Sequence, residues 1–297
     1  MRFKELLLTC CFIFGAVTLG WAETVETPDG AFIYYETKGE GSPILFVHGW
    51  TMSGKFWQKQ VQELAKDHQV VVMDLRAHGN SSKTLYGHTI PQYAKDVRSV
   101  IDALKLKNVT LIGWSLAGPV VLDYWKQFGD DKVKALGLVD MTPFPFSPAE
   151  WNAHGLKNFN YDRMNAFFIA LNQKRGDAAT AFINNMFKSG KAPEKDLEWM
   201  LTEHLKTPVS VAQDIYSDYL MRDYSDVLKT ITVPTIVFAA DSNIFKNGIA
   251  MGKHIASQIP NATFAPSANG GHLLFYEDPK WFNDELTTFL KKCGFSK

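Results

Sequence analysis

The stretch Val109-Thr110-Leu111-Ile112-Gly113-Trp114-Ser115-Leu116-Ala117-Gly118 constrains this chain more than any other. Its first four residues are apolar or β-branched and read as a short buried strand, while helical spacing begins directly after Ser115 and runs to Phe128. The chain must therefore turn sharply within Gly113-Trp114-Ser115-Leu116-Ala117, which sets a serine on strained backbone at the end of a strand. Neighbouring backbone passes close to such a turn, so small residues are needed on both sides, and Gly113 and Ala117 flank the serine at two-residue spacing. Pro119 falls in the first helical turn, where a missing N–H costs little.

The same alternation extends along the chain. Residues 23–27 and 31–37 read as two strands around the turn signal Pro28-Asp29-Gly30, and residues 44–47 and 69–73 as strands buried on both faces. Helical spacing covers residues 56–65 and 89–104, and a further strand covers 133–139. From Phe144 to Tyr224 no strand-like run occurs. That segment carries helical patterns studded with aromatics, among them Trp151, Phe167, Phe168, Phe182, Trp199 and Tyr216. The α/β pattern then returns with a strand at 233–239, a helix at 249–259, a short strand at 263–265 and a closing amphipathic helix at 279–292. Strands alternating with helices imply an α/β fold, a mostly parallel sheet covered on both faces, with one helical insertion. The expected division is 1–22, 23–143, an inserted 144–230, and 231–297.

Residues 1–22 form a unit of their own: Arg2 and Lys4, an apolar run from Leu6 to Leu19, then Gly20-Trp21-Ala22. This reads as a secretory signal peptide cut after Ala22, and the run is too short to span a bilayer comfortably, so a secreted or periplasmic chain with no stable membrane span is expected. Cys10 and Cys11 would leave with it, and a lone Cys293 permits no internal disulfide. The formal net charge is zero and no basic cluster occurs, which gives no electrostatic case for nucleic acid and favours a small, uncharged partner.

Around Ser115 the chain resembles the α/β-hydrolase superfamily, in which Gly-Trp-Ser-Leu-Ala would be the nucleophile elbow, with Ala117 where glycine is usual. His48-Gly49-Trp50, Asp74-Leu75-Arg76-Ala77-His78-Gly79-Asn80-Ser81 and Gly271-His272 followed by Glu277 and Pro279 resemble further markers of that superfamily, in the same order. Segments such as His48-Gly49-Trp50 and Ser53-Gly54 are also similar to the non-haem haloperoxidase-like branch. The resemblance implies an α/β-hydrolase fold with a helical cap at 144–230. It implies Ser115 as nucleophile, His272 as base, and an oxyanion hole of the Trp50 and Leu116 backbone N–H groups. His48 reads as a structural, turn-stabilising imidazole. No cofactor and no metal are implied, and His68, His78 and His88, though evenly spaced, lack a ligand pattern.

The acid is open to two readings. The resemblance places it nine residues past the proline that opens the penultimate strand, which from Pro234 is Asn243, a residue without charge. Asp241 lies two positions early. Asp140, directly after the strand that precedes the insertion, stands where some branches carry the acid, and it is preferred here with Asp241 as the alternative. The implied activity is that of an exported serine hydrolase acting on small to medium apolar esters. Lactones, carbon–carbon bonds beside ketones and perhydrolysis are alternatives within the superfamily. A ligand receptor on the same scaffold is the alternative outside catalysis.

Overall fold

In the computed structural model, which describes residues 21–295, the chain threads one eight-stranded sheet. An antiparallel hairpin comes first: β1 (Trp21–Glu26) pairs with β2 (Phe32–Lys38), and Gly30 takes φ +85° in the turn between them. The remaining strands are β3 (Pro43–Val47), β4 (Gln69–Met73), β5 (Val109–Trp114), β6 (Val133–Val139), β7 (Thr235–Ala239) and β8 (Ala262–Pro266). Their spatial order is β1-β2-β4-β3-β5-β6-β7-β8, antiparallel through β2/β4 and parallel from β4 onward. The sheet is thus mostly parallel, as the alternation predicts. The signal-peptide reading falls almost wholly on residues 1–20, outside the described residues, and β1 begins at Trp21.

Period-two alternation sorts the strand residues into two cores. Leu45, Val47, Val71, Met73 and Leu111 face α2 (Ile90–Ala103) and α3 (Ala117–Phe128). Ile44, Phe46, Val70, Val72, Ile112 and Trp114 face the opposite way, toward α1 (Gln58–Leu64) and the C-terminal helices. Every residue of β5 is buried. At about 1.5–3 kcal/mol for each large apolar side chain, this central strand is a main source of the fold's stability. Residues 54–57 form a 3-10 turn, so the first helix starts two residues later than its spacing predicts.

Between β6 and β7 lie α4 (Tyr161–Gln173), α5 (Arg175–Met186), α6 (Glu194–Leu205), α7 (Val209–Met221) and the short α8 (Ser225–Leu228). The helical character expected from Phe144 onward begins only at Tyr161. Pro143, Pro145 and Pro148 remove N–H donors from the intervening stretch, and the Asn152 amide instead ties it together by donating to the carbonyls of Pro145 (2.8 Å) and Ser147 (2.9 Å). After β7 come α9 (Gly248–Gln258), a four-residue α10 (Leu274–Glu277) that the sequence pattern does not reveal, and α11 (Pro279–Lys292). No helix among the described residues is long and apolar enough to cross a membrane.

The Asp74 to Ser81 segment acts as a brace. Asp74 accepts from the N–H groups of Gly54 (2.6 Å) and Asn80 (2.7 Å), and fully buried Arg76 is clamped between Asp29 and Asp96. The guanidinium holds the Asp29 carboxyl down to about 2. Ala77 sits at φ +60°, a left-handed conformation that explains why glycine is common there.

Candidate active site

Ser115 stands at the junction of β5 and α3 with φ +57°, the strained turn that its flanking residues predict. Gly113 is obligatory: a Cβ there would lie 2.3 Å from the Ala117 carbonyl oxygen. Gly49 is nearly as constrained, since its Cβ would meet that of Ser115 at 3.0 Å. The elbow is anchored by the Ser115 N–H donating to Val139 O (2.9 Å), and the Ser115 side chain remains half-buried, open to approach.

His272 Nε2 lies 2.9 Å from Ser115 Oγ, and its Nδ1 lies 2.5 Å from Asp140 Oδ2. An ionised carboxylate only accepts, so the proton belongs on Nδ1 and the Nε2 lone pair faces the serine hydroxyl. Both His272 and Asp140 are buried at 1% exposure. Asp140 ends β6 at φ +42°, its N–H donating to Phe238 O (2.8 Å) while its Oδ1 accepts from Ala240 N–H (3.0 Å). Adjacent β7 thereby fixes the carboxylate. Asp241 is exposed, and its Oδ1 accepts from Ile249 N–H (3.0 Å) at the start of α9. Of the two candidate acids, the structure brings Asp140 to the imidazole and uses Asp241 as a helix-end acceptor. The Ser242 hydroxyl accepts from Ile244 and Phe245 N–H groups, closing the tight turn that occupies this loop.

The backbone N–H groups of Trp50 and Leu116 have no acceptor among the described residues, which leaves both free for a ligand oxygen. The Trp50 side chain is a hub that sequence reasoning missed. Its indole donates to Ala212 O (2.8 Å) and packs against Phe167, Phe182, His204 and Tyr216, tying β3's loop to the helical insertion. In the sequence Glu277 likewise stands out only as part of a pattern. Its carboxylate accepts from Gly271 N–H (2.7 Å) and Lys188 N–H (3.0 Å), and Leu273 N–H donates to Met186 O (3.2 Å). The loop that carries His272 is thus stitched to the end of α5. Trp114 completes the support by donating its indole N–H to His272 O (2.9 Å).

A cavity of about 370 Å³ opens between the insertion and the loop after β7, whose Asn243 and Ile244 also line it. Phe167, Phe182 and Tyr216 line it; most other aromatics of the insertion are packing groups, such as Trp151, stacked on His254, and Trp199, tilted against Phe56. Neither Ser115 nor His272 lines it. Trp50 packs against its aromatic wall, and the ring centroid of Phe245 is 5.2 Å from that of His272. Among the described residues, no group of His, Cys, Asp or Glu is arranged to hold a metal ion.

His48 is a brace, with Nδ1–H donating to Gly49 O (2.7 Å) and Nε2 accepting from Leu75 N–H (2.9 Å). Burial pushes it down to about 4, pushes His204 down to about 3, and holds His78 well below its ordinary value. In the unfolded chain these groups titrate near 6.5. Above that pH both states are neutral; as pH falls below it the unfolded chain binds protons that the folded one refuses, and stability is lost until about pH 4, where His48 titrates in place. Each imidazole contributes up to roughly 1.4 kcal/mol per pH unit, so His48, His204 and His154, which burial also pushes down to about 3, should together give a slope of about 4 kcal/mol per unit near pH 5, with His78 adding to it. Urea midpoints measured from about pH 7.5 to 5 check this, and a flat profile would contradict the neutral, buried state of these groups.

The alpha/beta hydrolase fold family matches residues 42–279, and the chain belongs to that family. It is 25% identical over 272 residues to a non-heme chloroperoxidase from Kitasatospora aureofaciens, covering 90% of this chain and 98% of the relative. It is 24% identical over 273 residues to a bifunctional esterase/perhydrolase from Acinetobacter calcoaceticus, covering 90% and 99%. An esterase structure from Exiguobacterium antarcticum superposes with a TM-score of 0.84 at 23% identity, covering 91% of this chain and all of that one.

Proposed function

We propose that this protein is an exported serine hydrolase that cleaves carboxylic esters with small to medium, largely apolar acyl groups through Ser115, His272 and Asp140. The observation that carries the reading is the unbroken chain Ser115 Oγ, His272 Nε2, His272 Nδ1, Asp140 Oδ2 at 2.9 and 2.5 Å. A serine hydroxyl is a weak nucleophile until a base takes its proton, and here the base is already within hydrogen-bond reach. Ser115 Oγ attacks the ester carbonyl as His272 removes its proton, and Asp140 stabilises the imidazolium. The N–H groups of Trp50 and Leu116 hold the oxyanion. The imidazolium then protonates the leaving alcohol, and water, deprotonated by the same ring, releases the acid. The helices between β6 and β7 act as a cap over this site. Export rests on the sequence of residues 1–22.

A second reading is favoured by the relatives, which include a named chloroperoxidase and a named esterase/perhydrolase. With hydrogen peroxide in place of water, the same acyl-enzyme would yield a peracid. A fluorophosphonate probe with peptide mapping, run beside a panel of short-chain aryl esters and lactones, tests the proposal. Stoichiometric labelling of Ser115 and sustained product release are expected. Labelling elsewhere, or a single turnover with a large thermal shift, would replace the hydrolase reading with that of a receptor.

A further inference from the structure

The cavity between the insertion and the loop after β7 has polar lining residues whose chemistry the proposed reaction does not use. Among its lining residues there is one full charge, the Arg163 guanidinium, and no aspartate or glutamate. Arg163, an exposed residue, forms no ion pair among the described residues; its guanidinium makes one hydrogen bond among them, from Nη1 to Gly155 O at 3.0 Å, while its backbone N–H donates to Asn160 Oδ1. The group is seated by the absence of a side chain, since a Cβ on Gly155 would lie 3.2 Å from the Arg163 Cζ and Nη2. Beside it, His154 Nδ1 accepts from Leu156 N–H at 3.1 Å, which puts the ring proton on Nε2. His154 lines the cavity, and that N–H has no acceptor among the described residues. Burial pushes His154 down to about 3, so the ring is a neutral donor at ordinary pH.

Two neighbouring donors, one of them charged, in the lining of a space walled by Phe167, Phe182 and Tyr216 describe a receptor for an anion on an apolar stem. The planar guanidinium matches a carboxylate bidentately. Phe245 packs on His154 of the cavity (6.0 Å between centroids) and on His272 (5.2 Å), so a stem that joins the cavity to the triad must run alongside that ring. We propose that this cavity binds the carboxylate end of an acidic ester through Arg163 and His154 Nε2–H, so that the substrate class is half-esters of dicarboxylic acids joined by an apolar spacer. The proposal rests on the hydrolase reading for its scissile bond and on the cavity alone for its carboxylate.

The two are separable by experiment. Aryl half-esters of succinic, glutaric, adipic and suberic acids are compared with aryl esters of the corresponding monocarboxylic acids. At least one half-ester is expected to exceed its neutral counterpart in kcat/KM by roughly three- to tenfold, the worth of a charge-assisted contact at an exposed arginine. Arg163→Gln should remove that preference while leaving the neutral esters within about twofold, and Gly155→Ala, which displaces the guanidinium without removing it, should reduce the preference in part. Loss of both substrate types in equal measure, or a preference that survives Arg163→Gln, would overturn the carboxylate site and leave the hydrolase intact. Calorimetric binding of glutarate to the full chain, abolished by Arg163→Gln, supports the site even in a protein that turns over no ester.

Discussion

Replacing Ser115 by alanine is expected to lower kcat on aryl esters by roughly five to six orders of magnitude while leaving the protein folded. The size follows from the role: without Oγ, the imidazole 2.9 Å away has nothing to deprotonate but water, and only binding and the two backbone donors remain. His272→Ala should cost about as much, and the double variant little more than either alone, because a nucleophile and its base act as one unit. Stability should behave differently. Alanine suffers the same left-handed strain that serine bears at φ +57°, so its thermal midpoint should match the parent, whereas Ser115→Gly should raise stability by up to about 1 kcal/mol by relieving that strain. Steady-state rates and thermal unfolding on the three single variants check both halves. A Ser115→Ala protein retaining more than about one per cent of parental kcat would remove residue 115 from the chemistry.

What the sequence makes legible is what local chemistry dictates. Gly113 and Ala117 mark the elbow because backbone crowding there acts on residues four apart, and alternating apolar runs mark the strands because each face of the sheet is buried. The pairing of Ser115 with His272 is legible from motif order. The insertion's starting point is less so, since three prolines defer the first helix to Tyr161 within a stretch whose aromatics suggest helix from Phe144. Trp50 and Glu277 escape notice for a different reason. Their partners, Ala212 for the one and Gly271 with Lys188 for the other, are fixed by how the insertion docks, which no local pattern encodes. The acid is the sharpest case, because counting along the chain from Pro234 reaches Asn243, while the residue at the imidazole lies about a hundred positions earlier, just past the end of the neighbouring strand.

Asp140→Asn is expected to reduce kcat by about three to four orders of magnitude with KM little changed, and Asp241→Asn to leave kcat within roughly threefold. The asparagine at 140 is isosteric, so the loss comes from the proton. Ala240 N–H already claims one side-chain acceptor of residue 140, so the amide oxygen should stay there and turn its NH2 toward His272 Nδ1. An NH2 donor facing Nδ1 makes that nitrogen the acceptor and moves the ring proton to Nε2, where it confronts the Ser115 hydroxyl instead of receiving its proton. At high pH the Asp140→Asn variant should recover part of its rate, as hydroxide begins to do the base's work. The Asp241 side chain, exposed and bonded to Ile249 N–H, keeps an acceptor oxygen when it becomes asparagine, so even the α9 terminus should lose less than about 1 kcal/mol. The two variants thus separate a carboxylate needed for its charge from one used for its oxygen. Equal, small losses in both would mean that the 2.5 Å contact between Asp140 and His272 contributes nothing to the reaction and that the imidazole is oriented by its packing alone.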